Sequence, residues 1–169
     1  MSDREKSLHM TILMTPDMAN FSGKVHGGAI LKLLDQVAYA CAARYCRNYV
    51  VTVSLDQVTF NQSINVGELV SFRAHVNYVG KSSMEIGVKV IAEDLHTKKK
   101  RHANSCYFTM VAVDDKGNPV PAPPLELKTE FERKLHEAAL MRKKMRAEIT
   151  QRNREITAGI PDYNPDVTD

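Results

Sequence analysis

Asn20-Phe21-Ser22-Gly23-Lys24-Val25-His26-Gly27-Gly28, with the apolar run from Ala29 to Cys46 behind it, is the stretch on which the fold turns. Ile30, Leu33, Leu34, Val37, Ala38 and Cys41 recur at helical spacing and make one apolar face. Lys32, Asp35, Gln36 and Tyr39 make a narrow polar stripe on the same helix. A helix this apolar is expected to be wrapped by other structure, so an ionisable Asp35 in its middle needs a reason. The two glycines at its entrance permit close approach of a ligand or another backbone. They also stand where a helix start presents free N–H groups at a positive end, which suits an anion.

Before this stretch, Leu8 to Met14 reads as a short edge strand broken by Thr15-Pro16-Asp17. After it, Arg47 and Asn48 end the helix and four strand-like segments follow. Val51, Val53 and Leu55 alternate with Thr52, Ser54 and Asp56. Phe72, Ala74, Val76 and Tyr78 alternate with polar residues, as do Met84, Ile86, Val88 and Val90. Cys106 to Val113 is apolar on both faces. Period two with β-branched and aromatic residues argues strands. The links at 65–67, 79–82 and 95–100 are short, which favours antiparallel neighbours. The architecture expected is α+β: a sheet of about five strands wrapped around one long helix, its edges in need of cover by oligomerisation.

Asp114 to Pro119 ends the sheet, and residues 121–125 read as a stiff Pro-rich linker. Residues 126–158 lack glycine and proline and read as one long helix with a thin seam from Leu127 to Ile149. Residues 159–169 read as a disordered tail. The first domain is expected to run from 8 to 120.

The 169 residues are 43% hydrophobic and 25% charged, an ordinary globular balance. No apolar run approaches the roughly 20 residues of a membrane span. Met1 to Lys6 is polar, without the apolar core of a leader. Cys41, Cys46 and Cys106 are odd in number and sit in apolar periodic segments, which suggests reduced thiols in a cytoplasm. Residues 126–158 hold nine Lys or Arg against six Asp or Glu, so the whole net charge of +3 lies there. A neutral remainder argues against a nucleic-acid partner.

Asp35 has two readings: a general base or nucleophile in an apolar setting, or a surface residue paired with Lys32. Asn20 is either a turn asparagine bonding its own backbone or an amide that holds a water or a carbonyl oxygen. His26 has no Ser or Cys nucleophile at a recognised spacing, and no second His or carboxylate makes a metal pattern with it. The three cysteines read as small core residues. Gly27-Gly28 either allows tight packing or forms an oxyanion hole at a helix start. Gly80-Lys81-Ser82-Ser83 is a hairpin turn or a phosphate cradle, and Lys98 to Arg101 a solvated turn or a polyphosphate contact.

Together these residues resemble the hotdog-fold acyl-CoA thioesterases, specifically the cytosolic acyl-CoA hydrolase (YciA-like) group. The features that carry the resemblance are Pro16-Asp17-x-x-Asn20, Gly23-x-Val25-His26-Gly27-Gly28 and Ile30-Leu31-Lys32-Leu33-Leu34-Asp35. Val53-Ser54-Leu55-Asp56-Gln57-Val58-x-Phe60, Val66-Gly67 and Val79 to Met84 support it. The match runs from about Leu8 to Val120, so no family role passes to the C-terminal segment.

The resemblance implies hydrolysis of fatty acyl-CoA to free fatty acid and coenzyme A. It implies that Asp35 activates water or attacks the thioester, that Asn20 orients the water, and that the Gly28 N–H receives the thioester oxygen. It puts Gly80, Lys81, Ser82 and Ser83 near coenzyme A, and the strand bearing Asp56 and Phe60 near an acyl tunnel. No metal or other cofactor is implied. Asn20 and Asp35 would meet across a dimer interface, in a homo-oligomer built as a trimer of dimers. A hotdog hydratase and a non-catalytic acyl-CoA sensor are the rival readings of the same pocket.

Overall fold

The computed structural model describes residues 4–158 and residue 160. The elements are β1 (Ser7–Leu13), α1 (Gly27–Cys46), β2 (Tyr49–Leu55), β3 (Leu69–Val79), β4 (Ser83–Glu93), β5 (Lys100–Val113) and α2 (Glu130–Ala158). They fall into two compact units that divide after Glu126. The tail expected from 159 lies outside the described residues, Ile160 apart.

In the first unit, the strands form one antiparallel sheet in the order β1-β3-β4-β5-β2, curled around α1. This is the hotdog fold. Helix α1 packs against all five strands. It buries Ile30, Leu34, Val37, Ala38, Cys41, Ala42, Tyr45 and Cys46, the apolar face seen in the sequence. The sheet answers with Phe72, Ala74 and Val76 of β3, Ile86, Val88 and Val90 of β4, and Cys106, Phe108 and Met110 of β5. At the helix end Arg47 takes the left-handed conformation, and its N–H closes on the Ala43 carbonyl at 2.7 Å.

Two expectations need correction. Short links do make β3, β4 and β5 successive neighbours, but β2 pairs with β5 at the far edge. Helix α1 crosses the sheet and delivers the chain to the edge opposite β1. Residues 56–68 then carry it back to β3. The second helix begins at Glu130 rather than Glu126 because a capping box sets its start. The Glu132 N–H donates to Thr129 Oγ1 (3.1 Å), and the Thr129 N–H donates to Glu132 Oε2 (3.2 Å).

The Pro-rich stretch belongs to the first unit and is bonded to its sheet and helix. The Ala122 N–H donates to the Lys81 carbonyl (2.8 Å), and the Tyr45 hydroxyl donates to the Pro124 carbonyl (2.8 Å). The three cysteines are buried and unbridged. Burial pushes the thiols of Cys41 and Cys106 up to about 12, and raises that of Cys46 as well. No helix among the described residues is long and apolar enough to cross a membrane.

The second unit contains α2, whose exposed side includes Phe131, Met141, Met145, Ile149 and Ile156.

Candidate active site

Asp35 lies on the third turn of α1, flanked by the buried Leu34 and Val37, and its own side chain is exposed. The Thr52 hydroxyl donates to Asp35 Oδ1 at 2.6 Å. No Lys32–Asp35 ion pair exists among the described residues. Thr52 reaches the helix by ordinary strand alternation, since it shares a face with the buried Val50 and pairs with the buried Met110. The register of β2 slips only after Thr52, between Thr52 and Ser54, leaving Val53 unpaired. Tyr49, Val51, Val53 and Leu55 of β2 are exposed, at 62%, 36%, 61% and 36%. Sequence reasoning passed over Thr52, whose only local signal was a polar position in an alternating edge strand.

Asn20 sits in a tight loop closed by the Ala19–Val25 bridge and turned by Gly23 at φ 75°. Its Oδ1 accepts from the Ser22 N–H (2.9 Å), the Ser22 hydroxyl (2.8 Å) and the Lys24 N–H (3.0 Å). The turn-asparagine reading therefore holds for the oxygen. Three donors on that oxygen fix the amide flip and leave the NH2 group as a donor with no partner among the described residues.

Gly27 and Gly28 open α1, two residues earlier than the apolar run suggested. The Gly28 N–H is occupied: it donates to His26 Nδ1 at 2.9 Å, so His26 caps the helix. An oxyanion can use this N–H only when the imidazole moves off it. The Gly27 N–H makes no hydrogen bond among the described residues. A side chain at Gly27 would stand 3.6 Å from the Phe60 ring.

A cavity of about 360 Å³ opens beside these groups, walled by Asn20, Val25, Gly27, Ile30, Phe60 and Ile64 among others. Asp56 is not in its wall, and neither are Asp35 and Thr52. Contrary to expectation, Asp56 and Phe60 are not on the strand, which ends at Leu55; both belong to the link 56–68. Two side chains of β5 hold that link. Asn104 donates to the Thr59 carbonyl (2.8 Å), and Arg101 donates to the Ser63 carbonyl (2.8 Å) and to Glu68 Oε2 (2.7 Å). The guanidinium beside Glu68 holds its carboxyl below the usual carboxylate range.

Gly80 to Ser83 form the β3–β4 hairpin turn, closed by the Gly80 N–H on the Ser83 carbonyl (2.8 Å). Thr52 stands opposite Met110, and Met110 opposite Met84, so the turn lies at the level of Thr52 in the sheet, roughly 10 Å away across two strand spacings. Asn20 belongs to the other end. Its loop bridges through Lys24 to Asn65, and Met14 bonds Glu68 just before β3 begins. The chain thus assembles Asp35 with Thr52, and Asn20 with Gly27 and Phe60, but not the two groups with each other. Among the described residues no three His, Cys, Asp or Glu converge as a metal site.

Residues 22–99 match the model of the thioesterase superfamily. Protein VdlD of Helicobacter pylori is 52% identical over 145 residues, covering 86% of this chain and 82% of that one. An uncharacterized acyl-CoA thioester hydrolase of Bacillus subtilis, YkhA, is 37% identical over 139 residues, 82% of this chain and 81% of its own. The cytosolic acyl coenzyme A thioester hydrolase of Rattus norvegicus is 36% identical over 127 residues, 74% of this chain and 33% of that one.

Among solved structures, the acyl-CoA hydrolase of Bacillus cereus superposes with a TM-score of 0.83 at 32% identity, covering 92% of this chain and 94% of the other. An apo-hexameric acyl-CoA thioesterase does so at 0.78 and 34%, with the same coverage. The acyl-CoA hydrolase of Staphylococcus aureus in complex with butyryl coenzyme A does so at 0.77 and 28%, covering 90% and 94%. Alanine variants of that last enzyme have been solved at an aspartate, an asparagine and a threonine, spaced in its chain as Asp35, Asn20 and Thr52 are in this one.

Proposed function

Because this chain belongs to the thioesterase superfamily, among its acyl-CoA thioester hydrolases, we propose that it cleaves fatty acyl-CoA to free fatty acid and coenzyme A, with Asp35 as the reacting carboxylate. The observation that carries the assignment is the Thr52–Asp35 hydrogen bond. It fixes one carboxylate oxygen of an exposed helix residue and leaves the other for chemistry.

As general base, Asp35 takes a proton from water while the water oxygen bonds to the thioester carbon. Collapse of the tetrahedral intermediate breaks the carbon–sulfur bond, and the sulfur leaves with the proton. As nucleophile, Asp35 would form an anhydride that water then opens. The free NH2 of Asn20 suits the holding of the attacking water. The Gly28 N–H stabilises the charge on the thioester oxygen once the His26 ring yields to it, at the positive end of α1. Phe60 lines the acyl path, with Asp56 at the strand end leading to it, and the turn Gly80-Lys81-Ser82-Ser83 meets coenzyme A.

The separation of Asn20 from Asp35 within one subunit supports a site shared across a two-fold axis. The exposed apolar edge strand β2 supports the same pairing, because an unpaired edge of this kind invites a second copy. Dimers grouped as a hexamer follow the structural relatives, with the apolar stripe of α2 contributing to assembly, and a cytoplasmic setting follows the mammalian ones.

The test is release of coenzyme A from a panel of acyl-CoAs by the wild type and by Asp35→Ala. Turnover that needs Asp35 supports the assignment. Hydrolysis undiminished in the variant removes Asp35 from it.

A further inference from the structure

Phe21 occupies the apex of the loop that holds Asn20, and its side chain is fully in solvent, at 111% of the reference exposure. Nothing about the loop is slack. Asn20 accepts three hydrogen bonds, the Gly23 N–H donates to the Asn20 carbonyl (3.1 Å), and the Asn20 N–H to that of Lys24 (2.6 Å). A rigid turn therefore presents a phenyl ring to water, forfeiting the transfer free energy that burial would return. On the other part of the site, Tyr39 and Tyr49 pack edge to face with ring centroids 5.9 Å apart, and both are exposed. Tyr39 follows Asp35 by one helical turn, on the same side of α1.

We propose that Phe21 docks in a second copy of this chain, against its Tyr39–Tyr49 pair, and so locks Asn20 over the partner's Asp35. The proposal rests on the shared-site reading. If Asn20 is brought to Asp35, the ring one residue away arrives beside the aromatic pair one turn from Asp35. The contact is self-complementary, and the two-fold axis makes it twice. Aromatic side chains favour the edge-to-face geometry such a cluster offers.

The chain has no tryptophan, so Phe21→Trp gives a single reporter. Its emission is expected to be blue-shifted at micromolar concentration, to redden on dilution as dimers dissociate, and to ignore saturating coenzyme A. In parallel, Phe21→Glu should raise the dimer dissociation constant about tenfold or more by sedimentation, with Phe21→Leu near wild type. Solvent-like emission at every concentration, with an undisturbed Phe21→Glu dimer, overturns the proposal. A blue shift that appears only with coenzyme A overturns it too, by making the ring a ligand contact. A wild type that is active as a monomer sinks the shared-site reading itself, whereas a wild-type dimer indifferent to Phe21→Glu sinks this contact alone.

Discussion

Among the described residues Asp35 accepts from one side chain, the Thr52 hydroxyl, and two substitutions separate holding from reacting. Asp35→Ala should lower kcat by about 10²–10⁴-fold and leave the melting temperature near wild type, because the side chain is exposed. Retention of more than about a tenth of kcat would make Asp35 an ordinary helix residue. Thr52→Val removes the hydroxyl while keeping the shape. It should lower kcat about tenfold with little change in KM, and Thr52→Ser should restore most of it. Steady-state kinetics on one acyl-CoA decide both. At this scale the loop of Asn20 and the helix of Asp35 were legible, because loop, glycine pair and amphipathic helix are local patterns. Thr52 was not, because its facing Asp35 depends on how α1 packs on the sheet and on pairing with Met110 of β5, more than fifty residues away. The occupied Gly28 N–H was equally hidden, since a ring rotamer decides it.

The link 56–68 is shaped less by its own sequence than by the side chains that hold it. Arg101 bridges it to β5 through Glu68 and the Ser63 carbonyl. Glu68 is buried, and its folded carboxyl lies below the usual value of 4.5. Its contribution to stability is therefore present above that value and lost as pH falls through the folded one. Thermal melts of the wild type should accordingly steepen in their decline below about pH 4.5, and Glu68→Gln should flatten that part of the curve. Equal slopes would mean that the pair does not matter to folding. The helices and strands themselves were readable from period and turn chemistry. The place of β2 at the far edge was not, because which strand lies beside which is a property of how α1 crosses the sheet.

At the scale of the whole molecule, the proposed sharing of the site between two copies predicts complementation. Asn20→Ala and Asp35→Ala subunits, each inactive, are unfolded and refolded together in equal amounts. Random pairing makes about half the dimers mixed, and each mixed dimer carries one intact site. Roughly a quarter of wild-type activity should return. A mixture as dead as its parents, with mixed dimers confirmed by mass spectrometry, would put both residues in one subunit.

The buried thiols have a practical corollary. Cys41 and Cys106, held near 12, and Cys46, also raised and buried, keep almost no thiolate at neutral pH and offer no access. A disulfide dye that colours on meeting free sulfhydryls should find nothing to react with in the native protein, and three equivalents after denaturation. Every increment of colour in a running reaction then counts one coenzyme A released, so the enzyme is silent in its own continuous assay.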